Sequence, residues 1–379
     1  MNNKLIDIKR TVPKHYNPIK IVRSVYCEVA FLLQIQHLLE LPKAPLDRTV
    51  LDSQLDMIVH LLVDFDLYLD IPDNVATQLS SNSNVSEFTG IRCLLHKIAQ
   101  KRAGLTRSVR LCGQSHFVPI TQINEHLTSQ SLNAIYLTSL DAETCKQVEN
   151  DYGIVAIRYD EKQEKFTHSN FFQLSLLNTQ VKKRDLAYDW QFLTNMNLKS
   201  NSLVWVDGYI LKDDLTIEYN VKPILKKILP DKLVIPYIIT FITNYPPRND
   251  PKNRGTFSEN DPQDTLFKLR EIKETIVQVV HELKGEDYNF RVNVCNMNGC
   301  EHDRWILTNN QYITSGAGFD LIYKNRNGQS RYSKSTNVYG SCIYSNAEDR
   351  KDYEALCQRL ARMRQEDYEW IDDSQNRTF

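Results

Sequence analysis

Between Cys300 and Phe319 the chain gathers residue types that handle phosphate. His302 and Arg304 are one residue apart, so on an extended segment both side chains fall on one face and Asp303 and Trp305 take the other. Asn309 follows, and then Gly316-Ala317-Gly318, a run that bares backbone N–H groups where a side chain would block an anion. An imidazole can attack phosphorus or carry a proton, and a guanidinium can clamp two phosphate oxygens at once. These types predict a phosphate site held by Arg304, Asn309, Gly316 and Gly318, with His302 as its catalytic candidate.

The spacing is His-x-Arg, four residues, Asn309, six residues, Gly316-Ala317. It resembles the phospholipase D superfamily signature, which runs His-x-Lys, four residues, Asp, six residues, Gly-Ser. Arg304, Asn309 and Ala317 stand where that signature has Lys, Asp and Ser. The resemblance extends over Ser202 to Tyr344 through the order of elements. It implies His302 as nucleophile or its acid/base partner, and Arg304 as the phosphate holder. Enzymes of that superfamily build their site from two motifs. Nine histidines are present, and none of the other eight begins a second His-x-Lys or His-x-Arg. A homodimer that pairs two His302 rings is therefore the expected route to activity. Asn309 lacks the carboxylate that could charge-stabilise an imidazole, which favours binding over turnover. The pattern also resembles the C-terminal domains attached to microtubule-interacting-and-trafficking modules, which use a His-Asp-Arg motif.

Lys324, Arg326, Arg331 and Lys334 alternate with Tyr323 and Tyr332 directly after the motif. Basic and aromatic residues interleaved in this way suit a nucleic-acid backbone, and Arg326, Arg331 and Lys334 join the expected phosphate contacts. Cys295, Cys300 and His302 offer three zinc-type ligands, but no nearby fourth completes a common structural site. No metal and no cofactor is expected.

Elements that would position this site can be read from periodicity. Residues 1–105 read as a helical region, with apolar stripes over Ile19–Leu41 and Leu51–Leu69 and a third helix over Phe88–Ala103. This region is expected to serve as a scaffold or to bind a protein partner. Residues 106–199 read as a small α/β segment. It opens on a short extended stretch at 116–120. Its strand Ala134–Thr138 then precedes a helix Asp141–Tyr152, opened by Ser139 or Asp141 near its N-cap and closed by Gly153, and then a parallel strand Ile154–Arg158. Residues 200–346 read as the phospholipase D-like domain. It has strands at 203–206, 233–242 and 290–295, a short helix at 220–229, and a long helix opened by Pro262 and running to Lys284. The motif stretch itself reads as a strand, a tight turn and a strand closed by the glycines. Residues 347–379 read as a helix and a polar tail. The expected fold class is α/β, with a mixed sheet in the C-terminal domain.

Composition bounds the function. Hydrophobic residues make up 41% and charged residues 25%, as in ordinary globular chains, and the net charge of −1 leaves nucleic-acid binding to a local patch. No run approaches the about 18 apolar residues of a spanning helix. Eight scattered cysteines fit a reducing, cytoplasmic setting. The leading expectation is a protein that binds phosphate or a nucleic-acid backbone, as an accessory or sensor component of a bacterial defence or mobile-element system. The alternatives are a homodimeric phosphodiesterase or nuclease using His302, and a phospholipid-headgroup module.

Overall fold

The computed structural model describes residues 23–40, 49–64, 66–72, 98, 100, 109–113, 133–168, 177–181, 183–184, 187–188, 190–196, 199–243, 262–296, 304–316, 318–324, 330–332, 336–342, 355 and 369–371. The chain is α/β and divides into two compact units, one within 22–173 and one from 174 onward. Among the described residues no helix is long and apolar enough to cross a membrane.

The first unit is built on a parallel sheet. Strand β1 (Arg23–Glu28) runs directly into helix α1 (Val29–Glu40), and α2 (Thr49–Asp64) leads into β2 (Asp66–Pro72). Strands β3 (Val109–Gly113), β4 (Asn133–Leu137) and β5 (Val155–Ile157) complete the order β3-β2-β1-β4-β5, with every pairing parallel. Strands thus stand where helices were expected, at Arg23–Glu28 and Asp66–Pro72. The reason is burial: Val25, Tyr26 and Cys27, like Leu67, Tyr68 and Leu69, are covered on both faces. A strand of that kind shows a continuous apolar run, which periodicity cannot separate from a helix. Of the third expected helix, Ile98 and Gln100 are helical and the rest lies outside the described residues, as does 116–120.

Helix α3 (Ala142–Tyr152) begins at an N-cap, Asp141, whose side chain accepts from the Glu143 and Thr144 N–H groups, and ends at Gly153 with φ 61°. Of the two N-cap candidates in the sequence, Ser139 and Asp141, the structure uses Asp141, and the Gly153 cap stands where it was expected. The hairpin of β6 (Tyr159–Asp160) and β7 (Lys165–Phe166) follows. Where β1 meets α1, the buried Glu28 carboxylate accepts from the Tyr136 hydroxyl, Thr138 Oγ1 (2.9 Å), Ser139 N (2.8 Å) and Ser139 Oγ (3.1 Å). It ties β1 to the loop after β4, at the point where the strand order reverses.

The second unit contains an eight-stranded mixed sheet. It is entered through β8 (Leu177–Val181), a small ribbon of β9 (Lys183–Arg184) and β10 (Ala187–Tyr188), and helix α4 (Gln191–Met196). Strand β11 (Ser202–Val206) precedes a helical segment: a short turn at Asp214–Thr216, a π-turn at Ile217–Val221, and α5 (Lys222–Ile228). The π-turn closes with the Lys222 N–H bonded to Ile217 O. It sits just before Pro223, which has no N–H to give and whose ring crowds the preceding turn. Strand β12 (Tyr237–Thr243) starts after Pro236, and α6 (Pro262–Lys284) spans the residues read from its stripe and its N-terminal proline.

Strands β13 (Phe290–Asn296), β14 (Arg304–Thr308) and β15 (Gln311–Ser315) follow, then the ribbon of β16 (Ile322–Lys324) and β17 (Ser330–Tyr332), and β18 (Thr336–Cys342) and β19 (Glu369–Ile371). The sheet order is β19-β13-β12-β11-β14-β15-β18-β8, parallel through β11–β13 and antiparallel elsewhere. The motif hairpin therefore lies at the middle. Both β8, from the expected middle segment, and β19, from the expected tail, belong to this sheet. Of the expected C-terminal helix, only Ala355 is described, and it is helical. Trp205 anchors the core, stacked on Phe241 (5.5 Å) and edge-on to Phe319 (5.4 Å).

Candidate functional site

Strand β11 is five buried residues long, and the chain then delivers its first carboxylate, Asp207. This is the carboxyl edge of the parallel strands, where α/β sheets place their ligands. In the β11–β14 ladder Val206 faces Trp305, so the next row along sets Asp207 beside Arg304. Asp207 is wholly buried and held rigidly. Its Oδ1 accepts from Tyr209 N (2.9 Å), its Oδ2 accepts from Phe319 N (3.0 Å), and its own N–H donates to Ile242 O (3.1 Å).

Arg304 reaches across this edge. Its Nε lies 3.7 Å from Asp207 Oδ1, its Nη1 lies 3.9 Å from Asp320 Oδ1, and its guanidinium carbon stands 5.2 Å from the Tyr209 ring centre. Lys212 places Nζ 3.2 Å from the other oxygen of Asp320. A guanidinium and an ammonium thus converge on one two-oxygen anion. Burial pushes the Asp207 carboxyl up to about 6; the Asp320 charge adds to this, and Arg304 and the two backbone N–H groups oppose it.

The glycine turn is fitted to the guanidinium. Gly318 has φ +88°, and a Cβ there would collide with Arg304 Nη1 and fall 2.5 Å from its Cδ. Arg304 can lie along the turn only because residue 318 has no side chain. Ser315 fixes the turn, with Oγ donating to Gly318 O (2.6 Å) and lying 3.0 Å from Thr336 Oγ1. Gly316 is different. It is exposed, and a Cβ would meet nothing within 4 Å. Beyond the turn, Asn220 clamps the backbone of Ile322 in both directions, with Nδ2 to O and N to Oδ1 each at 2.9 Å. The π-turn therefore anchors the segment that carries Asp320.

The structure brings together Arg304 and Gly318 of the expected set and separates Asn309 from them. Asn309 follows β14 at its far end, about 17 Å from Arg304 at the usual rise per residue. It is 6% exposed. Its Oδ1 accepts from Asn201 N (2.8 Å) and Ser202 N (3.0 Å), and its Nδ2 donates to Asn201 Oδ1 (3.1 Å) and Ser202 Oγ (3.2 Å). The expectation of Asn309 as a phosphate contact is corrected: its amide joins the hairpin turn to the start of β11. Spacing placed it near the motif, whereas an extended strand carries it away.

His302, Arg326 and Lys334 lie outside the described residues; Arg331 is placed on β17 opposite Tyr323. Among the described residues no group of three or more His, Cys, Asp or Glu is arranged to hold a metal ion. Sequence reasoning missed Asp207, Tyr209, Lys212 and Asp320. An Asp ending an apolar strand just before Gly208, and a second Asp just after the glycine run, were the available signals. No family model matches this chain, and no curated protein matches it.

Proposed function

We propose that the C-terminal unit binds the phosphodiester backbone of a nucleic acid at the edge carrying Arg304 and Lys212, and that it does so without turning the ligand over. One observation carries this reading: two cations from different elements, β14 and the loop after β11, converge on a two-oxygen anion. Guanidinium and ammonium groups so arranged suit phosphate oxygens. Asp207, although its carboxyl is raised toward neutrality, is wholly buried and holds Arg304 and the Tyr209 and Phe319 backbone from beneath the site. The ribbon of β16 and β17 follows Asp320 directly and adds Tyr323, Lys324 and Arg331 to the same stretch of chain.

The test is fluorescence anisotropy with labelled single- and double-stranded oligonucleotides over a range of salt. The expected result is binding that weakens steeply as salt rises, because neutralised phosphates release counterions. No binding at low salt, or binding only to vesicles with phosphorylated headgroups, would overturn the proposal.

A further inference from the structure

The position of Asp320 carries an inference that rests on this reading and sharpens it. Each oxygen of its carboxylate faces its own cation, Oδ1 toward Arg304 Nη1 and Oδ2 toward Lys212 Nζ. A carboxylate shares one negative charge over two equivalent oxygens, as the non-bridging oxygens of a phosphodiester do. The two carboxylates of the site differ in access. Asp207 is 0% exposed, whereas the side chains of Asp320, Arg304 and Lys212 are 18%, 15% and 21% exposed. The backbone around Asp320 is fixed: Phe319 N donates to Asp207, Leu321 N donates to Phe319 O (2.9 Å), and Asn220 grips Ile322. With that backbone held, the Asp320 carboxylate can leave the cations by turning its own side chain.

The charges point the same way. Among the described ion pairs of the site, two carboxylates, Asp207 and Asp320, face two cations, Arg304 and Lys212, and of the two carboxylates only Asp320 is open to exchange with a ligand anion. We infer that Asp320 is an internal stand-in for the ligand: its carboxylate closes the anion site, and a nucleic-acid phosphodiester binds by taking its place between Arg304 and Lys212.

The experiment compares the wild-type chain with Asp320→Asn and Asp320→Ser for binding a labelled short single-stranded oligonucleotide. Removing the carboxylate that competes for Arg304 and Lys212, its oxygens 3.9 and 3.2 Å from them, should tighten binding roughly tenfold or more. Tryptophan fluorescence during urea unfolding checks that each variant is folded. An oligonucleotide with neutral methylphosphonate linkages should lose the gain. Wild-type binding with no tightening in either folded variant would overturn the stand-in role and leave the proposed function intact. No binding by wild type or variants would overturn the proposed function itself. Tightening confined to vesicles carrying anionic phospholipid would overturn the choice of nucleic acid as the ligand.

Discussion

Replacing Asn309 by Ala should cost stability and leave anion recognition untouched. The substitution removes the acceptor for two buried backbone N–H groups, those of Asn201 and Ser202, and the donor to Asn201 Oδ1 and Ser202 Oγ. An orphaned buried donor costs about 1–3 kcal/mol, so the pair of N–H groups alone sets the loss at about 2–6 kcal/mol. That is a large part of the about 5–15 kcal/mol that holds a typical domain. Trp190, Trp205, Trp305 and Trp370 all lie in the second unit, so tryptophan fluorescence in urea reports on it alone. With a urea slope of about 2 kcal/mol per molar, the midpoint should fall by about 1–3 M. Asn309→Asp keeps both accepted bonds, and a flip of Asn201 with a turn of the Ser202 hydroxyl restores the rest; its loss should be under about 2 kcal/mol. An Asn309→Ala midpoint equal to wild type, or unchanged stability with lost oligonucleotide binding, would refute the structural role.

Three further outcomes follow from the geometry. Gly318→Ala should cost about 1–2 kcal/mol for its left-handed backbone and push Arg304 aside, weakening oligonucleotide binding by about tenfold, whereas Gly316→Ala should stay within about 0.5 kcal/mol of wild type. Asp207 holds its proton up to about pH 6, against 3.8 for an ordinary Asp. Between those values the native state binds a proton that the unfolded chain releases, so stability falls as pH rises, by an order of about 3 kcal/mol. Urea midpoints across that window should show the slope in wild type and lose it in Asp207→Asn. In the first unit, Glu28→Gln keeps an oxygen for the Thr138 and Ser139 donors but turns its NH2 toward the Tyr136 hydroxyl and removes the charge from all four bonds. It should lower that unit's stability by about 2–3 kcal/mol. Far-UV circular dichroism should then show a transition ahead of the tryptophan signal, and coincident transitions would contradict the prediction.

What the sequence disclosed was local. The helix from Pro262 to Lys284 could be read because its stripe has the helical period and its proline suits a first helical position. Gly153 announced the end of its helix by cap chemistry, and the start was narrowed to Ser139 or Asp141, of which the structure uses Asp141. The motif hairpin from Arg304 to Ser315 was legible as two strands about a turn. Hidden features depended on partners distant in the chain. Arg23–Glu28 looked helical because a strand buried on both faces has no alternation to show. Asp207 and Asp320 meet Arg304 only once β11 and β14 pair, and no spacing rule predicts that meeting. Asn309 misled because a signature read along the chain says nothing about distance along an extended strand.

The central claim is that Arg304 holds a phosphodiester, and the direct measurement is the affinity of Arg304→Ala for a labelled single-stranded oligonucleotide across salt. Loss of a charged hydrogen-bonding group predicts weakening by about 1.5–3 kcal/mol, or roughly 10- to 150-fold, with the salt slope reduced by about 1. Arg304→Lys keeps the charge but loses the planar contact with Tyr209, and it should fall between the two. A folded Arg304→Ala protein that binds the oligonucleotide as tightly as wild type, with the same salt slope, would contradict the account.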